Sequence, residues 1–134
     1  MSNDIPLLEV SDVEWLARFI FFKSHIRQSN NTVRPNAFMP PPELELSVTR
    51  HGNLSGKEIW QAGEMVAKAR LEEELKLHGR ADLQAFNARN RSLKVRSDPP
   101  PENHAVIFGW SLDKPAQKLL ALELASLARY LPSP

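Results

Sequence analysis

Two runs of three consecutive prolines, at residues 40–42 and 99–101, restrict the fold of this 134-residue chain more than any other feature of its sequence. Proline fixes its own φ angle and has no backbone N–H to donate, so neither run fits inside a helix or a central strand. The first run therefore predicts an extended lead into a strand at residues 44–50. The second predicts a stiff loop at residues 98–103.

Alternation of apolar and polar residues predicts three strands. In residues 44–50 one side of the strand is apolar and carries Leu44, Leu46 and Val48. Residues 93–96 alternate in the same way, and residues 105–110 are apolar on both sides, which is typical of a central strand. The short loop between these two segments favours an antiparallel hairpin. With residues 44–50 they make a small antiparallel or mixed sheet of at least three strands.

Two capping boxes predict the starts of helices. In each box a serine hydroxyl and a glutamate carboxylate satisfy backbone N–H groups that would otherwise lack a partner. Ser11 with Glu14 opens a first helix that ends near Ile26. Ser55 with Glu58 opens a second helix.

The second helix is expected to continue through the glutamates at 72–74 and to stop at Gly79, a natural residue at a helix C-terminus. A short helix is expected at 82–90, and a last helix follows the cap residue Asp113. The sheet and two or three helices make one α+β domain over residues 1–134. The expected buried face of the last helix consists of Ala116, Leu119, Leu120, Leu124 and Leu127.

The composition excludes several classes of function. The absence of cysteine excludes disulfide scaffolds, thiolate zinc sites and cysteine nucleophiles. A net charge of +1 means that nucleic-acid binding would need a local patch. No phosphate-binding loop, dinucleotide-binding motif or metalloprotease motif is present, so we predict neither a cofactor nor a metal. A signal peptide and an apolar run of about 20 residues are also missing, which predicts a cytoplasmic protein without a membrane partner.

Arg50 continues the apolar side of residues 44–50, which places a guanidinium at the rim of the core. A buried arginine has to be paired, because burial of an isolated charge is prohibitive. One interpretation is an anion clamp that His51 and the N-terminus of the helix starting at Ser55 support. The other is that the strand ends at Thr49 and Arg50 extends into solvent.

A basic run with no acidic residue between Leu83 and Ser97 consists of Arg89, Arg91, Lys94 and Arg96. Lys94 and Arg96 share one side of a strand, so they are spaced to follow successive phosphates of a nucleic acid. Phe86 is the one aromatic residue nearby that could stack on a base. The alternative is an edge strand whose outward charges prevent sheet-to-sheet aggregation.

The second proline run is surrounded by three residues with titratable side chains, Asp98, Glu102 and His104. They suit either a divalent metal or a general base, His104, which a carboxylate orients. The alternative is a histidine that is hydrogen-bonded for structural reasons at the start of a strand. A further group is interpreted as solvated charges around a capped helix end: His78, Arg80 and Asp82.

Three segments, PPPELELSVTR at 40–50, HGRADL at 78–83 and NHAVIFGWSLDKPAQKLLALELA at 103–125, resemble a set of short bacterial proteins without an assigned activity. This resemblance implies a bacterial origin. Asp98-Pro99 before residues 103–107 is similar to the acidic-Pro segment that precedes an Asn-containing turn and a strand in the DNA-end-binding HIRAN domain. The glycine hairpin that should follow is missing here, so no functional residue is transferred from that domain.

Three functions are consistent with the sequence. The leading prediction is a non-enzymatic accessory module that binds nucleic acid or a protein partner through the basic run and Arg50. The alternative is an enzyme for a nucleotide or phosphoester, in which Arg50 holds the anion and His104 is the general base, assisted by Glu102 or Asp98. This enzyme requires Arg50 and His104 to open into one cleft. The third is a protein-interaction subunit that dimerises along an exposed sheet edge; the oligomeric state itself is not predicted.

Overall fold

The computed structural model of the protein describes residues 9–69 and 75–134. Six of its strands form one sheet in which neighbouring strands are antiparallel. In chain order the strands are β1 (Trp15–Ile20), β2 (Ile26–Arg27), β3 (Thr32–Val33), β4 (Leu46–Arg50), β5 (Gly79–Gln84), β6 (Lys94–Ser97), β7 (His104–Phe108) and β8 (Arg129–Pro132). The order across the six-stranded sheet is β6-β7-β4-β1-β5-β8, and β2 pairs with β3 in a separate ladder.

Within the described residues the sheet is accompanied by three α-helices, α1 (Gly56–Ala69), α2 (Ala85–Arg89) and α3 (Lys114–Leu127). Two short 3-10 turns lie at Lys23–His25 and Pro35–Phe38. The predicted α+β class is therefore confirmed. No helix in these ranges is both long enough and apolar enough to cross a lipid bilayer.

Two of the predicted helix caps are present. The backbone N–H of Ser55 donates to Glu58 Oε1 (2.9 Å), and the N–H of Glu58 donates to Ser55 Oγ (3.2 Å). The backbone hydrogen bond from Ser55 is the main reason that the pKa of Glu58 lies below its usual value. At the start of α3, the carboxylate of Asp113 accepts a hydrogen bond from the N–H of Ala116 (3.0 Å).

The predicted first helix from Ser11 to Ile26 is wrong, because this segment contains β1. β1 lies between β4 and β5, and its two faces enter two different buried clusters, so a nearly continuous apolar run is what this strand requires. The aromatic and β-branched residues of the run also pack well on a pleated surface. The capping box does not form here, because the Glu14 carboxylate accepts hydrogen bonds from Arg50 instead.

The predicted helix end at Gly79 is also wrong, because the chain is not helical at 75–78. The predicted helical residues 72–74 lie outside the described residues. Gly79 begins β5, where an added Cβ atom would lie 2.5 Å from the hydroxyl of Tyr130 in β8. The glycine therefore serves the close approach of two strands.

The predicted strands are confirmed with small shifts at their ends. β4 begins two residues later than predicted, β6 one residue later and β7 one residue earlier. The predicted hairpin is present, with Val95 of β6 opposite Ile107 of β7. The helix expected at 82–90 is shorter, because residues 82–84 belong to β5 and α2 begins at Ala85.

The two faces of the sheet enter different cores, which we call the α3 side and the α1 side. On the α3 side, Leu16 and Ile107 belong to the same buried cluster as Leu124 of α3. On the α1 side, Phe19 belongs to a smaller cluster with Ile59 of α1. Residues opposite each other in neighbouring antiparallel strands share a side, so the strand register assigns the other strand residues.

Candidate functional site

On the α1 side, β4, β7 and β6 present a polar surface next to the region covered by α1. The helix lies over β1, where a Cβ atom at Gly63 would come within 2.7 Å of the ring of Phe19. Toward the edge strand β6, the residues on this side, besides buried Val106, are Ser47, Thr49, Lys94, Arg96, His104 and Phe108. We call these six residues the β4–β7–β6 surface. The serine and the two cations are exposed, the histidine and phenylalanine are half-buried, and Thr49 is buried.

Both ring nitrogens of His104 have partners. Nδ1 lies 2.7 Å from the backbone oxygen of Asp98 and 3.4 Å from Oδ2 of the same residue. Nε2 lies 3.2 Å from Oγ of Ser47. Because a carbonyl oxygen can only accept, Nδ1 carries the proton, and Nε2 of the neutral ring is an acceptor. The Ser47 hydroxyl therefore donates to His104.

The proline loop places Asp98 against His104. The backbone N–H of His104 donates to Pro101 O (2.9 Å), and the N–H of Asp98 donates to His104 O (2.8 Å). Glu102 is exposed in this loop, and in the described residues neither a hydrogen bond nor an ion pair joins it to His104. Of the three residues proposed from the sequence, the structure thus brings together Asp98 and His104. No group of three His, Asp or Glu side chains in the described ranges is arranged to hold a metal ion.

Lys94 and Arg96 share one side of β6, as the alternation predicts, and an aromatic ring lies beside them. Phe108 is opposite Lys94 in the ladder, and the guanidinium carbon of Arg96 lies 4.7 Å from the centre of its ring. Arg96 Nη2 also donates to Glu45 Oε2 (2.9 Å), and this hydrogen bond is the main reason that the pKa of Arg96 is raised. Sequence reasoning missed Phe108 because the ring comes from the partner strand; hairpin register would have located it.

Arg89 and Arg91 do not join this surface. Arg89 ends α2, which packs in the core on the α3 side, and its Nη1 lies 2.7 Å from Asp12 Oδ1. Arg91 follows α2, and its Nε lies 3.1 Å from Glu123 Oε1 of α3. The basic run that was expected to form one patch is therefore divided between the two sides of the sheet.

Arg50 is paired with Glu14. Its Nε and Nη2 donate to the two carboxylate oxygens at 2.7 and 2.9 Å, and the two side chains are 11% and 12% exposed. Arg50 is opposite Leu16, on the α3 side, whereas His104 is opposite Thr49, on the α1 side. The structure therefore does not bring Arg50 and His104 into one cleft, as the phosphoester-enzyme alternative requires.

A buried charge cluster lies farther along the α1 side, around Asp82 of β5. Arg80 Nε is 3.2 Å from both carboxylate oxygens of Asp82, and the guanidinium carbon is 4.6 Å from the centre of a Trp60 ring. His51 Nε2 is 3.2 Å from Asp82 Oδ1, an electrostatic contact without hydrogen-bond geometry. Arg80 and Asp82 are 8% and 4% exposed, so their interpretation as solvated charges is wrong. Residues 79–84 form a strand and not the end of a helix. Arg80 and Asp82 therefore point to the same, buried α1 side of the sheet.

In comparisons with protein-family models, with curated proteins and with solved structures, nothing matches this chain. The resemblances to short bacterial proteins and to the HIRAN domain therefore stay predictions. What the protein does has to be inferred from its own geometry. The β4–β7–β6 surface is the place where cations, an aromatic ring, a serine and a histidine meet on one accessible side of the sheet.

Proposed function

We propose that this protein binds single-stranded nucleic acid on the β4–β7–β6 surface. The observation that carries the proposal is the guanidinium of Arg96, which lies 4.7 Å from the centre of the Phe108 ring, with Lys94 exposed on the same side. A sheet face that combines cations with an aromatic ring suits a single strand, because phosphates bind the cations and bases stack on the ring.

The spacing of these side chains supports the proposal. Lys94 and Arg96 are two residues apart on β6, so they leave the sheet about 7 Å apart on one side. Phe108 is directly opposite Lys94 in the ladder. A nucleic-acid strand that crosses this ladder meets a cation and an aromatic ring in adjacent positions. Ser47 Oγ adds a hydrogen-bond acceptor for the N–H groups of a base, because its own proton is donated to His104.

The distribution of charge favours single strands over duplexes. The chain has a net charge of +1, and Arg50, Arg89 and Arg91 are paired with carboxylates away from the surface. The described β4–β7–β6 surface keeps two cations, Lys94 and Arg96, and Arg96 also donates to Glu45 there, so the surface offers far fewer phosphate contacts than a protein that makes roughly 6–10 of them on a duplex. We therefore expect modest, salt-sensitive affinity to which stacking contributes.

Fluorescence anisotropy with labelled single-stranded DNA, single-stranded RNA and duplex DNA tests the proposal, at about 50 and about 150 mM salt. The variant K94A/R96A removes both surface cations. The variant K114A/K118A is the matched control, because it removes two exposed lysines of α3 and changes the net charge equally. We expect K94A/R96A to lose at least about tenfold in affinity for single strands, because both phosphate contacts are gone, and the control to bind like the wild type.

The variant F108A separates stacking from charge. Loss of one base–aromatic stack is expected to weaken binding by about 5- to 150-fold, with the salt dependence unchanged. Circular dichroism checks that the variant is folded, because Phe108 is half-buried. Equal losses in K94A/R96A and K114A/K118A would show that only net charge matters. That result, or no binding to any nucleic acid at low salt, would refute the proposed function.

A further inference from the structure

We propose that Ser47 and His104 form an acyl-transfer centre, in which Ser47 is the nucleophile toward small carboxylic esters and His104 is its general base. The inference is independent of nucleic-acid binding. It rests on the contact between Ser47 Oγ and His104 Nε2 at 3.2 Å and on the position of His104 Nδ1, 2.7 Å from the backbone oxygen of Asp98. A nucleophile within reach of a base that a third group orients is the arrangement by which a serine is activated.

The hydrogen bond to Asp98 fixes the reactive form of the imidazole. Nδ1–H donates a hydrogen bond to the backbone oxygen of Asp98, so Nε2 is unprotonated and its lone pair faces the Ser47 hydroxyl. The Asp98 carboxylate lies 3.4 Å from Nδ1 on the same side of the ring, where it stabilises the imidazolium that forms when His104 accepts a proton. The backbone carbonyl orients the ring, and the carboxylate supplies the compensating charge.

The two reacting residues lie on neighbouring strands inside the sheet. Ser47 belongs to β4, which pairs with β1 and with β7, and His104 begins β7 opposite Thr49. Strand positions hold side chains more firmly than loop positions, so the pair is preorganised. Ser47 is exposed, which leaves its hydroxyl open to an ester from solution.

The chemistry balances with an ester and water as the reactants. Ser47 Oγ attacks the ester carbonyl carbon while its proton passes to His104 Nε2. The carbon–oxygen bond to the alcohol then breaks, and the alcohol leaves with that proton. Water repeats the sequence on the acyl-serine: its proton passes to His104 Nε2, its oxygen attacks the acyl carbon, and Ser47 leaves as the hydroxyl while a carboxylic acid is released.

The test uses a fluorophosphonate, which phosphonylates activated serines with loss of fluoride. Its phosphorus is attacked by Ser47 Oγ, the phosphorus–fluorine bond breaks, and the proton goes to His104. Peptide mass spectrometry of the 134-residue chain measures the modification rate at Ser47 and, as an internal control, at Ser126. Ser126 is also exposed, but its hydroxyl donates to the backbone oxygen of Glu123 instead of to a histidine. We expect Ser47 to react at least about 100-fold faster than Ser126.

The variant H104Q is expected to slow modification of Ser47 by about 100-fold or more, which is the usual contribution of a general base. S47A is expected to abolish the hydrolysis of p-nitrophenyl acetate. The control variant S126A is expected to keep it. The proposal is overturned if Ser47 in the wild type reacts no faster than Ser126, a comparison that needs no variant to fold. It is also overturned if the fluorophosphonate modifies Ser47 in folded H104Q as fast as in the wild type. Neither result bears on the anisotropy of K94A/R96A, so the two proposals fail separately.

Discussion

Arg50 ends β4 on the side of the sheet that faces α3, and its guanidinium is held there by the carboxylate of Glu14. Replacing Arg50 by methionine would leave that carboxylate buried without its cation. We expect R50M to lower the free energy of unfolding by about 3–5 kcal/mol, as measured by urea denaturation. The double variant R50M/E14L removes both charges, so its loss is expected to be smaller than that of R50M alone.

The urea denaturation of R50M decides whether the role of Arg50 is structural or ligand-binding. If R50M unfolded at the same urea concentration as the wild type, the ion pair would contribute little to stability. A loss of anion or nucleic-acid binding in such a stable variant would return Arg50 to its predicted role as an anion clamp. E14Q is the matched control, because it weakens the same pair from the other side while Arg50 stays in place.

Sequence reasoning located single residues well where the signal is local. Alternation predicted that Arg50 lies at the rim of the core, and its burial predicted a charged partner. Asp98 and His104 were grouped because both adjoin the same proline loop, and they are in contact. It missed Glu14 as the partner, because Glu14 also fits a capping box. It missed Ser47 because no local pattern encodes the pairing of β4 with β7, and it missed Phe108 because the β6–β7 hairpin was predicted without a register.

Among the secondary-structure elements, β1 shows how helical spacing of apolar residues can predict a helix where the chain forms a strand. Val13, Leu16, Ala17, Ile20 and Phe21 have helical spacing, but they lie in a segment that is apolar almost throughout. Such a segment fits a buried helix and a central strand equally, because both faces of the strand are covered. The short elements that sequence reasoning located correctly, β4, β6 and β7, have either clear alternation or adjoining proline loops.

The last helix was predicted at the right place but with a different buried face. Leu119 and Leu127 are 59% and 44% exposed, whereas Leu124 is fully buried. The face instead includes Gln117, which is 2% exposed because its Nε2 donates to the backbone oxygen of Ser111 (2.6 Å). The hydrophobic pattern assigns a glutamine to the surface, but here the side chain is buried although its Oε1 has no hydrogen-bond partner among the described residues.

This assignment of faces gives a paired prediction on α3. L124A removes a fully buried side chain and is expected to lower the free energy of unfolding by about 2–5 kcal/mol, because it leaves a cavity. L119A makes the same chemical change at an exposed position and is expected to stay within about 0.5 kcal/mol of the wild type. Urea denaturation of both variants measures the difference. Equal losses in the free energy of unfolding of L124A and L119A would mean that α3 does not bury the face that contains Leu124.

For the whole molecule, β1 is the element that both cores share. Leu16 and Ile20 point to the α3 side, and Ala17 and Phe19 point to the α1 side. Loss of either core removes half of the packing of the strand at the centre of the sheet. We therefore expect the α1 side and the α3 side to unfold together in a single transition, although their clusters are separate.

Tryptophan fluorescence can test this cooperativity, because the two cores contain different tryptophans. Trp60 packs against the cluster on the α1 side, and Trp110 is buried in the cluster on the α3 side. W15F/W110F keeps Trp60 as the fluorophore, and W15F/W60F keeps Trp110. In each variant we expect the fluorescence midpoint in urea to coincide with the midpoint from far-ultraviolet circular dichroism. This internal comparison tolerates any stability change that the substitutions cause. If Trp60 reported an earlier midpoint than circular dichroism, α1 would detach from a sheet that stays folded on α3.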